Sequence, residues 1–373
     1  MAKIIYLSSS FFPSKAANSV HVIKMCDAFS RAGHETTLYG YIKNTTQDDI
    51  KHDYGVTSDF KIKKIKLFDL PIYRGNYLLS KIYTKMKFFF QKSDVVITRS
   101  LVFADFILKK NYQPSVIYEC HGLPDVNSKH IFNKLQSEKK FFKKIITITQ
   151  ALKNDLLEAY NFIKDEDIIV LPDGANLVPT SQLKEPENSP HTIGYVGHLY
   201  EGRGIDLIIA LATELPQLEF KCIGGEEVDV KYWKQKIKGI NNIVFTGHMA
   251  HKNLSSAYQS MDILLAPYQQ KVRVTGNAGD TSKYMSPLKI FEYMAQKRPI
   301  IASKMPAIQE VLVDGENCLL AEVDNLMQWK ECILKICENE QLRKKIAEKA
   351  YDDLNILYSW DIRAKKIVEC AMC

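Results

Sequence analysis

The sequence has no apolar run long enough to cross a membrane, which takes about 18 or more consecutive apolar residues. It also lacks a framework of paired cysteines, because its 8 cysteines are scattered through apolar segments. These absences exclude a small disulfide-stabilised domain and predict a cytoplasmic protein. Cys370 and Cys373 form a lone pair, with no second pair that would complete a zinc site. Met1–Leu7 becomes polar too early for a signal peptide and is expected to form a buried strand.

The length of 373 residues suits two domains, and its 46% hydrophobic and 25% charged residues are typical of a globular protein. The net charge of +7 is uneven: residues 1–150 carry 24 Lys and Arg against 12 Asp and Glu, whereas the remaining residues carry 26 against 31. A basic first half predicts a polyanionic partner such as a membrane surface, a phosphorylated lipid or a nucleic acid. No recognition helix or aromatic RNA-binding motif is present, so no nucleic acid partner is expected.

Short β-branched runs alternate with amphipathic segments along most of the chain. The predicted strands are Ile4–Leu7, Thr36–Tyr39, Val95–Thr98, Val116–Tyr118, Ile145–Ile148, Ile168–Leu171, Ile193–Val196, Phe220–Ile223, Ile243–Phe245, Ile263–Leu265 and Ile300–Ala302. Helices are predicted over Ser19–Ala32 and Ala151–Tyr160. This alternation favours an α/β protein with parallel sheets that are covered on both faces.

A polar stretch over Pro179–Pro190 contains three prolines and no aromatic residue, which is typical of a connector. We therefore predict two doubly wound, Rossmann-like domains at residues 1–178 and 191–350, and a C-terminal helical segment at 351–373 around Trp360–Val368. Two such sheets are expected to face each other across a cleft that binds the ligand at the carboxyl ends of the strands.

The segment Ser286–Ala295 is the most specific in the chain. Pro287 suits the first turn of a helix, and the amides of Leu288 and Lys289 would then be oriented toward a phosphate. Glu292, about a turn further on, could accept hydrogen bonds from ribose hydroxyls. A surface helix with an ordinary glutamate would explain the same residues.

Here the sequence resembles the family 4 retaining glycosyltransferases, which have the GT-B fold. Their signature has two glutamates separated by seven residues, and Glu292-Tyr-Met-Ala is similar to the segment that contains the second. Tyr284 stands where the first glutamate, which contacts the donor sugar, would be. The resemblance places both residues among the donor-binding groups, together with Pro287, Leu288 and Lys289.

The same resemblance extends over nearly the whole chain. Gly197–Gly204 is similar to the Gly-Arg-x-x-x-x-Lys-Gly loop that holds the diphosphate, with Arg203 at the lysine position and His198 at the arginine position. A solvated arginine in a turn is the alternative for Arg203. The loop with His248 and Met249 corresponds to one that surrounds the nucleotide base.

In the first half, His121 corresponds to a histidine that contacts the transferred sugar, although a lone histidine is more often structural. The residues from Ser14 to Ser19 correspond to a glycine-rich loop near the acceptor. The predicted acceptor residues are Ser14, Lys15, Ala16, Ala17, Asn18 and Ser19. Either Asn18 or Ser19 could instead serve only as a helix cap.

The resemblance implies a retaining, hexosyltransferase-type enzyme that uses a nucleotide-sugar, preferably a UDP-sugar, and a glycan or lipid-linked acceptor in bacterial surface polysaccharide biosynthesis. The implied catalytic residues are His121, Arg203 and Glu292. Asp165–Asp167 has the spacing of a metal-binding motif but more simply caps a turn, so neither a metal nor another cofactor is expected. The alternatives are a nucleotide-sugar epimerase of the same fold and an inactive glycolipid-binding subunit.

A basic amphipathic helix is predicted over Tyr77–Lys92. Lys81, Lys85 and Lys92 share one face, with Tyr77 and Phe88 beside them. Aromatic rings next to lysines suit a lipid headgroup layer, so we expect peripheral association with the inner face of the cytoplasmic membrane. A basic helix without a lipid partner is the alternative.

Overall fold

The run Ile4-Ile5-Tyr6-Leu7 is buried on both faces and lies within the first strand, as its β-branched and aromatic side chains predict. The computed structural model describes residues 1–65, 93–108, 114–124, 126–137, 142–184, 189–272 and 280–372. The chain divides into two compact units, which are described in turn. Unit 1 comprises residues 1–172 and 360–373, and unit 2 comprises residues 173–359.

Unit 1 contains a sheet of seven parallel strands in the order β3-β2-β1-β4-β5-β6-β7. Its strands are β1 (Lys3–Phe12), β2 (Glu35–Ile42), β3 (Lys61–Lys64), β4 (Val95–Thr98), β5 (Ser115–Cys120), β6 (Lys144–Thr147) and β7 (Ile168–Val170). Its described helices are α1 (Ala17–Arg31), α2 (Gln47–Asp53), α3 (Leu101–Leu108), α4 (Val126–Ser137), α5 (Gln150–Ala159) and, from the end of the chain, α13 (Trp360–Met372). The strand order reverses at β1 and β4, which is the switch point of a doubly wound sheet.

Unit 2 repeats this architecture with six parallel strands in the order β10-β9-β8-β11-β12-β13. Its strands are β8 (Thr192–Val196), β9 (Glu219–Ile223), β10 (Ile243–Gly247), β11 (Ile263–Ala266), β12 (Ile300–Ser303) and β13 (Leu319–Ala321). Its described helices are α6 (Ile205–Glu214), α7 (Glu227–Lys236), α8 (His251–Gln259), α9 (Leu288–Met294), α10 (Pro306–Gln309), α11 (Leu326–Glu338) and α12 (Glu340–Asp353). The switch point lies between β8 and β11, so ligands of this fold bind where these strands end.

The prediction of two doubly wound α/β sheets is confirmed, and each of the eleven predicted strands is present. Two strands were missed, and both lie at a sheet edge. Strand β3 has the sequence Lys-Ile-Lys-Lys and pairs only with β2, so its lysines reach solvent and the apolar pattern of a strand is weak. Strand β13 is three residues long and, unlike β7 of the same length, contains no β-branched residue.

The C-terminal helix α13 returns to unit 1, as predicted, and packs against α1. Its inward side chains Trp360 and Ile367 are 2% and 1% exposed. At its rim, Arg31 of α1 donates to the carboxylate of Asp361 at 2.7 Å. The helix is therefore part of the core of unit 1 although it follows unit 2 in the chain.

Six of the described cysteines are free thiols: Cys26, Cys120, Cys222, Cys318, Cys332 and Cys337. Within the described residues, no helix has the length and hydropathy needed to span a bilayer. The helix predicted over Tyr77–Lys92 lies outside the described residues.

Candidate active site

The carboxyl end of β8 is shaped around a buried lysine of α9. Gly197, the first residue after the strand, has a φ of +155°. A Cβ atom at this position would lie 2.6 Å from the ammonium nitrogen of Lys289, so the glycine leaves room for that side chain. The ammonium lies 3.8 Å from the centroid of the Tyr195 ring, and Lys289 is only 8% exposed. The structure thus buries a cation at the switch point of the sheet.

A second cation, Arg203, contacts the same aromatic cluster. Arg203 is half-buried, and its guanidinium lies 5.3 Å from the centroid of Tyr268, whereas the Lys289 ammonium is 5.0 Å from that centroid. Arg203 also donates to the Tyr200 hydroxyl at 3.3 Å. Gly204, which follows it, is the left-handed N-cap of α6 with a φ of +74°. This turn brings Arg203 back over Tyr268.

The electrostatics of this cluster are unfavourable without an anion. Burial, and then the positive charge of Arg203, lowers the pKa of Lys289 well below its usual range, although Glu292 opposes this shift. Among the residues that the structure describes, no carboxylate lies within ion-pair distance of the Lys289 ammonium. Two cations that share one ring in a poorly hydrated pocket repel each other, and a diphosphate would neutralise both.

His198 completes the loop between β8 and Arg203. Its ring stacks on Tyr200, with the centroids 4.9 Å apart. Burial, together with the nearby charges of Arg203 and Lys289, lowers the pKa of His198 to about 4. The ring is therefore neutral in the protein without ligand, and it contributes hydrogen bonding but no third positive charge.

Glu292 lies one turn after Lys289 in α9 and is half-buried. Its Oε2 atom accepts a hydrogen bond of 2.9 Å from the hydroxyl of Tyr258 in α8. This bond orients the carboxylate and leaves it lone pairs for further donors, such as the hydroxyls of a ribose.

The remaining predicted donor residues lie at the start of α9, in the segment before it and in the loop after β10. Pro287 is the N-cap of α9, one position earlier than the predicted first turn, and Leu288 begins the helix. Tyr284 is half-buried and its amide donates to Thr281, whereas His248 is exposed after β10. Met249 packs on the core of unit 2.

Sequence reasoning missed the aromatic walls of this cluster and the role of the lysine side chain. Tyr195, Tyr268 and Tyr258 carry no motif, and Lys289 was selected only for its backbone amide. One available signal was its spacing, because residues 289 and 292 are three apart and share a helix face. A second was the position of Tyr268, two residues after the end of β11.

His121 of unit 1 follows β5, where a sheet of this kind presents its ligand-binding residues. Its Nε2 atom lies 3.5 Å from the carboxylate of Glu119, which also contacts His21 at 2.7 Å. Glu119 and His21 were not among the predicted residues. An acidic residue inside an apolar strand was the signal that could have identified them.

The predicted acceptor residues occupy the turn between β1 and α1. Lys15, Ala17 and Asn18 are exposed, Ser14 and Ala16 are half-buried, and Ser19 is buried. The prediction that Asn18 or Ser19 caps the helix is wrong, because the N-cap is Ala16, which has no side-chain cap. Ser19 lies inside the first turn, where its hydroxyl donates to the Phe11 carbonyl instead.

Two Rossmann-like parallel sheets in one chain are the architecture of the GT-B fold, which many glycosyltransferases share. The structure of HepE from Anabaena, in complex with UDP and glucose, matches 99% of this chain and 99% of its own, with a TM-score of 0.72 and 15% identity. At that identity the likeness establishes the fold.

The family of this chain is shown by the match of its sequence to two family models. The model of Glycosyltransferase Family 4 matches residues 19–178, and the model of Glycosyl transferases group 1 matches residues 190–339. An uncharacterised glycosyltransferase of Methanocaldococcus jannaschii is 25% identical over 90% of this chain and 93% of its own length. Phosphatidyl-myo-inositol mannosyltransferase of Mycolicibacterium smegmatis is 23% identical over 54% of this chain and 51% of its own. The chain belongs to the group 1 glycosyltransferases of family 4.

Proposed function

We propose that this glycosyltransferase takes a sugar from a nucleoside diphosphate donor, preferably a UDP-sugar, and transfers it with retention of configuration to a glycan or lipid-linked acceptor. The observation that carries the proposal is that Arg203 and Lys289 both lie within 5.3 Å of the centroid of the Tyr268 ring. A UDP donor is supported by the UDP bound in HepE, and a lipid acceptor by the name of the mycobacterial relative.

In this proposal the protein contributes positioning and charge stabilisation. Arg203 and Lys289 bind the diphosphate as it departs, and Glu292 accepts hydrogen bonds from the ribose. His121 contacts the transferred sugar, as the family resemblance implies. Tyr284 stands where the family has a sugar-binding glutamate, so we propose that it governs the choice of sugar. The acceptor attacks on the face from which the diphosphate leaves.

We further propose that the reaction needs no divalent metal. A nucleoside diphosphate leaving group carries two to three negative charges, which magnesium neutralises in many other enzymes. Here the guanidinium of Arg203 supplies one positive charge, and Lys289 supplies a second when a bound diphosphate favours its protonated form. His198 could add a third if it takes up a proton when the anion binds.

A panel of nucleotides tests the donor assignment. We expect UDP, at a concentration about 100 times its dissociation constant, to stabilise the protein by about 2.7 kcal/mol in a thermal-shift assay. GDP, ADP, CMP and TDP, with their sugars, are the comparison. No shift with any diphosphate, with or without EDTA, would contradict the proposed site.

Incubation without an acceptor distinguishes a glycosyltransferase from the two alternatives, an epimerase and an inactive glycolipid-binding subunit. An epimerase would convert the sugar of the preferred nucleotide-sugar when incubated with it alone, which product chromatography detects. A glycosyltransferase needs an acceptor for turnover other than slow hydrolysis. An inactive subunit would bind the donor without converting it under either condition.

Membrane association is a separate proposal, motivated by the basic charge of residues 1–150. In the described part, Lys61 and Lys64 are exposed on the edge strand β3. We expect the protein to sediment with anionic vesicles, to be released by salt, and to lose binding when Lys81, Lys85 and Lys92 become glutamate. Each lysine near the surface contributes about 1 kcal/mol. Equal recovery with neutral and anionic vesicles would contradict the proposal.

A further inference from the structure

Unit 1 buries a carboxylate that the transfer reaction as described above does not use. Glu119 lies in β5 and is 1% exposed. Its Oε2 atom accepts a hydrogen bond of 2.5 Å from the Tyr6 hydroxyl of β1. Its Oε1 atom lies 2.7 Å from His21 Nε2 and 3.5 Å from His121 Nε2. A buried carboxylate is costly unless it is paired and hydrogen-bonded, and this one is both.

The compensating charge comes from the C-terminal helix. Arg363 of α13 is 2% exposed and donates through Nη2 to the Oε1 atom of Glu119. The same guanidinium donates to the carbonyls of Leu171 and Pro172, so its plane is held by backbone as well as by the carboxylate. Burial alone would raise the pKa of Glu119, but the positive charge of Arg363, and then that of His21, holds this pKa well below its usual range.

The two histidine rings are fixed by packing around this carboxylate. The rings of His21 and His121 are edge to face, with centroids 5.2 Å apart and planes at 87°. On its other side His21 contacts Trp360 of α13, also edge to face at 5.2 Å. The side chain of His21 is 1% exposed and that of His121 is 18% exposed. His121 is therefore the member of the cluster that reaches the surface.

We propose that Glu119 and Arg363 are positioning residues, which hold His121 in the tautomer with its proton on Nε2 and in the orientation needed for transfer. The proposal rests on the proposed function, in which His121 contacts the transferred sugar. A ring nitrogen that faces a carboxylate keeps its proton, and this selects the tautomer and the ring orientation. The C-terminal helix thereby contributes to sugar transfer without touching the sugar.

The first test measures the tautomer of the His121 ring directly and does not depend on enzyme activity. Side-chain ¹⁵N NMR distinguishes the two neutral tautomers, and the spectrum of His121→Gln assigns the His121 signals among the 9 histidines of the chain. We expect the Nε2–H tautomer in the wild-type protein and a mixture of tautomers in Glu119→Gln. A wild-type ring protonated on Nδ1, or an unchanged tautomer in Glu119→Gln, would overturn the proposal.

The second test measures transfer with the preferred nucleotide-sugar. Misplacing a reacting group by about 1 Å costs about 100-fold in rate, so kcat should fall to that extent in Glu119→Gln. The donor KM should change less than kcat, because the residues proposed to bind the nucleotide lie in unit 2. Arg363→Lys, which keeps the charge, should retain more of kcat than Arg363→Met. An equal fall in Arg363→Lys and Arg363→Met would contradict a role for the charge.

The matched control is Asp361→Asn, on the same helix. Asp361 anchors α13 through Arg31 and is itself exposed, so its loss loosens the helix without touching Glu119. Wild-type kcat and tautomer are expected in this variant. If kcat fell in Asp361→Asn as much as in Glu119→Gln, loosening of the helix would explain the loss of activity in both variants. That result would overturn the proposal.

Failure of the proposed function would give a different result, because the wild-type protein itself would then transfer no sugar from any nucleotide. The NMR test still decides the proposal in that case, because it needs no activity. It also decides the proposal if Glu119→Gln or Arg363→Met does not fold, because the tautomer can be measured in the wild-type protein and in Arg363→Lys.

Discussion

Replacing Lys289 with methionine should raise the melting temperature of the ligand-free protein and abolish most of its affinity for the nucleoside diphosphate. The ammonium of Lys289 is buried on Tyr195 and repelled by Arg203, so the folded state is destabilised by its charge. Methionine has a similar length and makes favourable contacts between its sulfur and an aromatic ring. Stability and binding should therefore change in opposite directions, which a simple packing defect would not produce.

The size of the binding loss follows from the interaction removed. A charge-assisted hydrogen bond contributes about 1.5–3 kcal/mol, which corresponds to about a 10- to 150-fold loss of affinity. Isothermal titration with the diphosphate preferred in the panel measures this loss. Titration with the corresponding nucleoside, which has no phosphate, should give the same affinity in the wild type and in Lys289→Met.

Lys236→Met is the control for this experiment. The ammonium of Lys236 also lies over aromatic rings, 4.8 Å from Trp233 and 5.0 Å from Tyr232, but on the exposed side of α7. This variant should keep its diphosphate affinity. If Lys289→Met also binds the diphosphate normally, or melts at a lower temperature than the wild type, the phosphate role of Lys289 is refuted.

Deleting residues 360–373 should unfold unit 1 while unit 2 keeps its structure. The deletion removes Trp360, a loss of about 3–5 kcal/mol for a buried aromatic side chain. It also removes Arg363 and leaves Glu119 buried without its partner, at a further cost of about 3–5 kcal/mol. The sum approaches the whole stability of a typical domain, about 5–15 kcal/mol.

Hydrogen exchange followed by mass spectrometry can measure the two units separately. Peptides from β1, β4 and β5 should lose protection in the truncated protein, and those from β8 and β11 should retain it. A shorter deletion of residues 372–373 is the control, because Met372 is 59% exposed. Full protection of unit 1 in the longer truncation would show that α13 is dispensable.

The sheets were predictable because their central strands are buried on both faces and therefore read as continuous β-branched runs, as in Ile4–Leu7 and Ile300–Ala302. Strand β3 was missed because its lysines interrupt the apolar run, and β13 was missed because it is short and has no β-branched residue. The end of the chain was predictable for a similar reason, since the apolar side chains around Trp360 require a core to cover them.

The candidate site was predictable only where a local pattern exists. Arg203, Lys289 and Glu292 lie in short segments whose spacing carries information. The tyrosines that surround the cations, and the contact between Glu119 and Arg363, join residues far apart in the chain. Such pairs depend on the register of strands and helices in three dimensions, and one sequence does not encode that register in a readable pattern.

The return of the last helix to unit 1 sets an order of events during synthesis. Glu119 leaves the ribosome 244 residues before Arg363. At about 5–20 residues per second, the nascent chain carries that carboxylate without its guanidinium for about 12–50 seconds. Unit 2 is continuous in sequence and most of it is made during this interval, although its last residue, Ser359, precedes Arg363 by only four positions. Unit 1 therefore completes its folding last, when α13 has been made. If translation stalls before residue 360, unit 1 lacks this helix and is exposed to proteases and chaperones.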